Sequence, residues 1–319
     1  MKKKRKTMTA MANEYLRHRR QLGYQLDTTG KVLLNFARWA DRIGHRGPLT
    51  VDLAVRWARL PKNASPTYWA HRLEVVRGFA KYRTIMDPAT EIPPYRLLGP
   101  AHCRVTPYIY SQTEIRELLT MAATLGAPRG LARRTWKTLF GLLVCAGLRI
   151  SEALRLHRDD LDCAQGLLRI GPTKFSPGRI LPLHPSAVAA LQRYARFRDG
   201  CLPATFSSAF FLHEDGTALR YRQVLHVFQR LRRETSLSTA PATRAPRIHD
   251  LRHTFACQNL LRWYRQGVDV NHAMLMLSTY LGHKKVTGTY WYLTGIPELM
   301  AIAARRFQQF ATPGKGGAE

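Results

Sequence analysis

From Asp87 to Pro107 the helical patterning of this chain stops, and Pro88, Pro93, Pro94, Gly99, Pro100 and Pro107 fall in its place. Proline fixes φ, has no amide hydrogen to donate and disfavours a helical residue before it, so no regular element runs through such a stretch. Breakers at this density predict a linker over 88–107. It divides the 319 residues into a first domain over 8–87 and a second over 108–312. A basic flexible arm (1–7) precedes them and a flexible tail (313–319) follows. At roughly 150 residues per domain, the length suits two.

On either side the apolar residues recur at helical spacing. Val32, Phe36, Trp39, Ala40 and Ile43 make one stripe, and Trp69, Leu73, Val76 and Ala80 another. Thr50 is placed to cap the helix that carries Val51, Val55 and Ala58. Beyond the linker, Ser111 or Thr113 can cap a helix running through Leu119, and an apolar helix is expected over about 133–146. Two short strands, 167–170 and 179–183, flank a turn rich in glycine and proline. Further helices are expected near 185–198, 220–234, 249–265, 270–280 and 297–310. The fold class is mainly α with a small antiparallel β-sheet.

Charge narrows the partner. Fifty Lys and Arg against 21 Asp and Glu leave a formal net charge of +29, which calls for a polyanion. No apolar run approaches the roughly 20 residues that span a bilayer, and 138–148 is the best candidate. The opening Met1–Lys6 has no apolar segment of a secretory signal. A cytoplasmic, DNA- or RNA-binding protein is expected, with Arg72, Arg77, Lys81, Arg83 and their neighbours on a surface that faces DNA. The five scattered cysteines form no CxxC pair, so they read as structural thiols rather than metal ligands.

Four elements in order carry the chemistry: Gly147-Leu148-Arg149 with Glu152, Lys174 on the strand-to-strand turn, His249-Asp250-Leu251-Arg252-His253, and Leu281-Gly282-His283 with Tyr292 nine residues on. Planar guanidiniums donate paired hydrogen bonds to phosphate oxygens, a role that fits Arg149 and Arg252. His249 and Arg252 are three apart on a helix and share a face. A tyrosine hydroxyl, with an ordinary pKa of about 10, needs a base or a strongly cationic pocket before it attacks. Glu152 reads as an orienter of the arginines.

This series resembles the tyrosine recombinases, the phage-integrase family, over residues 147–292. The GLR box with its acid three residues later, the hairpin lysine before R-x-x-P-L (here Arg179 to Leu183), the HxLRH box and the LGH box with tyrosine at plus nine are all present. The resemblance implies a helical core-binding domain and a catalytic domain forming a two-domain clamp on DNA. It implies Arg149, Lys174, His249, Arg252, His283 and Tyr292 as catalytic residues, with Glu152 and His253 supporting them. Lys174 would be the general acid for the leaving 5′-oxygen, and Tyr292 would form a 3′-phosphotyrosyl link that reseals without metal, nucleotide or other cofactor. It also implies a tetramer on paired sites, joined by exchange of the C-terminal helix, with accessory proteins possible.

Other readings remain open at this point. The turn around Lys174 carries Phe175 and two prolines where the family favours glycine and polar residues, and the stretch around 262–267 is longer than in compact members. Tyr290 competes with Tyr292 as nucleophile. His249 and His253 at i and i+4 could suggest a zinc pair, but Asp250 is a methylene short of the glutamate in HExxH and Arg252 would stand beside the metal. A topoisomerase-like nicking enzyme, or a DNA-binding architectural protein without chemistry, are the alternative functions.

Overall fold

The computed structural model describes residues 6–103, 106–172, 178–203, 207–238, 245–283, 285–294 and 304, with backbone alone at 270 and 291–294. Lys174 and the helix expected over 297–310 lie outside the described residues, 304 apart. The chain divides into two compact units, Met1–Val105 and Thr106–Glu319.

The first unit holds α1 (Met8–Gln21), α2 (Asp27–Arg42), α3 (Val51–Ala58) and α4 (Pro66–Arg83). Local chemistry sets their starts. Thr7, Thr50 and Ser65 each accept a hydrogen bond from a backbone amide in the first turn, and Pro66 occupies the first helical position of α4. Leu33, Phe36, Trp57, Val76 and Phe79 fill the core between the helices. The proline-rich stretch is tied onto this unit. Glu91 N donates to Leu49 O (2.8 Å), Val51 N donates to Glu91 Oε2 (2.7 Å), and Arg77 Nε donates to Pro93 O (2.9 Å).

The second unit opens with α5 (Gln112–Ala122), started by a reciprocal cap between Ser111 and Glu114. The helices α6 (Leu131–Ala146) and α7 (Ile150–Ala153) follow. Next comes an antiparallel sheet of β1 (Leu161–Asp162), β2 (Leu167–Ile170) and β3 (Arg179–Pro182), in that order. The two-residue β1 was not expected, because two residues are too few to show alternation. The remaining helices are α8 (Pro185–Cys201), α9 (Tyr221–Glu234), α10 (Ile248–Arg265), α11 (Val270–Leu281) and α12 (Thr287–Thr294). The apolar α6 packs against α5, α8 and α10, so its C-terminal end leads the chain to the centre of the unit. Among the described residues no helix is long and apolar enough to cross a membrane. All five cysteines are free; Cys257 is buried and the other four are exposed.

Candidate catalytic site

The end of α6 is shaped by Gly147. It caps the helix in the left-handed region at φ 58°, and a Cβ there would overlap the Phe255 ring of α10. That close approach explains the glycine of the GLR box. Arg149 then takes the N-cap position of α7, and Glu152 stands in the first turn with its side chain closed off from solvent.

Three arginines converge on this carboxylate. Glu152 accepts from the Arg149 amide (2.9 Å) and from Arg149 Nη1 (2.9 Å). Arg179 forks onto both its oxygens at 3.0 Å each, and Arg252 Nη1 lies 3.9 Å away. Burial alone would raise the Glu152 pKa. The hydrogen bond from Arg179, the Arg149 amide and the surrounding positive charge outweigh it and hold the group at about 2. Glu152 is therefore an anion at any working pH.

The arginines differ in what they leave open. Arg252 is 1% exposed, and its guanidinium donates to the carbonyls of Gly147 (2.8 Å) and Leu281. Arg149 keeps 22% of its side chain exposed, while its Nη2 donates to Gly282 O (3.3 Å). Of these two, Arg149 is the one with a face toward solvent. Gly282 itself ends α11 in the left-handed region, φ 67°, which turns His283 back toward the cluster.

Three imidazoles border the arginines. Burial first, and then neighbouring charge, lower the pKa of His253 to about 3 and of His283 to about 4. His249 opens to solvent on one side, yet crowding by the protein and then Arg252 lower it too. The rings of His249 and His253 meet edge to face with centroids 4.8 Å apart. Burial and the nearby guanidiniums thus keep all three histidines neutral near pH 7, with ring nitrogens free to accept or donate hydrogen bonds. The Asp250 carboxylate turns back to Arg247, accepting from its amide (2.8 Å) and from Nη2 (2.9 Å). It caps α10. Among the described residues no group of three His, Cys, Asp or Glu side chains is arranged to hold a metal.

The segment expected to carry the nucleophile packs next to this cluster. The helix α12 contacts α10 and α11, and His283 Nδ1 shares a 2.7 Å hydrogen bond with the Thr289 hydroxyl. Thr289 is buried and Tyr290 is exposed. Position 292 follows Thr289 by three residues and falls on its side of the helix; position 290 does not. Sequence reasoning passed over Arg179 and Thr289 as site residues. Arg179 was visible only as a spacing mark in R-x-x-P-L, and Thr289 had no signal at all.

The phage integrase family model matches residues 110–295. The Sinorhizobium fredii protein y4rB, which carries an integrase/recombinase name, is 40% identical over 309 residues, covering 95% of this chain and 98% of that one. The tyrosine recombinase XerD of Xanthomonas axonopodis is 31% identical over 280 residues, covering 84% and 85%. Among solved structures, the Tn1549 transposon integrase in complex with transposon right end DNA superposes with a TM-score of 0.71. It is 18% identical and covers 96% of this chain and all of that one. The chain belongs to the phage integrase family of tyrosine recombinases. Its enzyme class is DNA strand transfer in site-specific recombination.

Proposed function

We propose that this chain cuts and rejoins double-stranded DNA through a 3′-phosphotyrosyl intermediate on Tyr292, in the integration, excision or transposition of a mobile element. The observation that carries the reading is the gathering of Arg149, Arg179 and Arg252 on one buried carboxylate, with Arg149 open to solvent. Three guanidiniums against one carboxylate leave an excess of positive charge, fixed in place before substrate arrives. Such preorganised donors commonly supply a rate factor of about 10²–10³ each.

In this reading Arg149 binds a non-bridging oxygen of the scissile phosphate, and Arg252 supplies charge from behind. The cationic pocket around Arg149 and Arg252 eases ionisation of the Tyr292 hydroxyl, His249 and His283 offer hydrogen bonds to the reacting oxygens, and Lys174 protonates the departing 5′-oxygen. The new phosphotyrosyl bond conserves the energy of the one broken, so an incoming 5′-hydroxyl reseals the strand by the reverse path. The mobile-element role draws on the integrase name of a relative matched over nearly the whole chain. Two units closing on DNA, assembly into a tetramer through the segment after Pro297, and residence at the nucleoid complete the proposal.

The test is covalent capture on a nicked duplex whose released fragment diffuses away. The wild-type protein should give a protein–DNA adduct that survives denaturation. Tyr292→Phe should bind the duplex and form none, while Tyr290→Phe should form it. An adduct peptide carrying the modification on Tyr290 would reverse the assignment.

A further inference from the structure

We propose that Arg179 is a positioning residue for strand transfer: it holds Arg149 on aim by gripping both of the supports that Arg149 rests on. The proposal rests on the reading of Arg149 as the phosphate donor.

Arg179 is the first residue of β3, paired across the sheet with Ile170, and its side chain is 9% exposed. It is therefore poorly placed to meet DNA itself. All three of its nitrogens bond within the protein. Nη1 and Nη2 bind the two Glu152 oxygens, and Nε binds the Tyr280 carbonyl at 2.7 Å. Arg149 is held by the same two supports. One is Glu152, whose Oε1 receives Nη1 of both arginines. The other is the turn that ends α11, where Leu281 O and Gly282 O accept from Arg149 at 3.5 and 3.3 Å. Tyr280, Leu281 and Gly282 are consecutive, so Arg179 pins the very segment whose carbonyls fix the Arg149 guanidinium.

Two holders bound by one rigid fork make a closed arrangement. Without Arg179, the Glu152 carboxylate can rotate and the turn can shift, and Arg149 follows both. Lysine cannot replace it, because a single ammonium cannot span two carboxylate oxygens and a carbonyl in one plane. Small misplacements of a reacting or stabilising group carry a large rate penalty, and loss of a residue that orients another commonly costs about 10–100-fold.

The experiment measures single-turnover cleavage of a nicked duplex by the full-length chain. It compares the wild type, Arg179→Lys, Arg179→Gln and Arg149→Ala on a normal scissile phosphate and on an uncharged methylphosphonate in its place. Arg179→Lys keeps the buried charge and guards against a folding defect in Arg179→Gln. Both Arg179 variants should bind DNA within about twofold of wild type, yet cleave the normal substrate about 10–100-fold more slowly. On the methylphosphonate there is no anionic oxygen left for Arg149 to stabilise, so the deficits of Arg149→Ala and of both Arg179 variants should shrink together. Rescue of Arg149→Ala without rescue of the Arg179 variants would overturn the positioning role alone. No rescue of Arg149→Ala would overturn the phosphate-donor reading and the positioning role with it. Wild-type cleavage by Arg179→Lys on the normal substrate would also overturn it.

Discussion

Arg72 in the first unit and Arg252 in the second are both shut away from water, 8% and 1% exposed, but their surroundings differ in kind. Arg72 lies 3.7 Å from the centroid of the Trp57 ring and donates to the Trp57 carbonyl; among the described residues it has no ion-pair partner. Arg252 shares the neighbourhood of Glu152 with Arg149 and Arg179. A lone buried cation on an indole face is a packing element, satisfied where it stands. Three cations around one carboxylate are not balanced, and the excess has a use only when an anion enters. Both units are packed around apolar cores, but the second also encloses a cluster of unbalanced positive charge, which in the proposed reading its substrate completes.

The largest break in that contrast should come from Glu152→Gln. The amide has nearly the shape of the carboxylate but leaves three guanidiniums without their counter-charge, two of them largely enclosed. Removing one partner of a buried ion pair costs about 3–5 kcal/mol. For a unit of this size, the second unit's melting transition should fall by roughly 6–20 °C and strand cleavage should be lost. Inorganic sulfate should recover part of the melting temperature by supplying the missing anion. A variant melting with the wild type would show that the cluster balances its charge in another way.

Acid should separate the two units next. His249, His253 and His283 all titrate below the ordinary 6.5 in the folded protein. The unfolded chain therefore takes up protons first, and stability falls as pH drops below about 6.5, continuing toward about 4. Glu152, lowered from 4.5 to about 2, contributes stability present above 4.5 that is lost as pH falls through about 2. Both effects weaken the second unit in acid. In the first unit His71 is lowered as well, by burial and then by His102, but it stands apart from any such cluster. Calorimetry between pH 7 and 4 should show the transition of the second unit moving down faster than that of the first. Equal movement would mean that the imidazoles are protonated in the folded protein and the site opens in acid.

The sequence disclosed what is local or ordered and hid what is distant. Helices α2, α3, α4 and α5 announce themselves through apolar spacing and caps such as Thr50 and Ser111, because those signals lie within one turn of the residues they govern. The candidate site residues are proposed from their order along the chain. Their partnerships could not be read from it. Arg179 reaches Glu152 across 27 positions, and Arg252 reaches Gly147 across 105. His249 and His253 give a metal-like spacing, while the Asp250 carboxylate between them caps its own helix through the backbone of Arg247. In the same way, proline spacing marks the 88–107 break but not the hydrogen bonds of the Glu91 amide and the Arg77 side chain that tie it down, since the backbone groups at one end of each leave no trace in residue type.

The smallest expected effect tests the other side of the contrast. Arg72→Met keeps an unbranched side chain of similar length over the Trp57 ring and removes the charge. Two losses follow: the cation–π contact, worth about 0.5–2 kcal/mol, and one donor to the Trp57 carbonyl. That carbonyl lies in the last turn of α3 and still accepts from Leu60 N at 3.2 Å, so it is not left bare. Against these losses stands the relief of a desolvated cation whose Nε has no hydrogen-bond partner among the described residues. The terms nearly offset, and the net cost should be about 1 kcal/mol or less, a shift of roughly 4–8 °C at most in the melting of the first unit. Arg72 is expected from the sequence to face DNA but is buried against Trp57 at 8% exposure, so DNA affinity should not change. If Arg72→Met instead weakened DNA binding tenfold while melting normally, the buried cation of the first unit would serve the substrate too. The division between a unit held by packing and a unit completed by an anion would then fall.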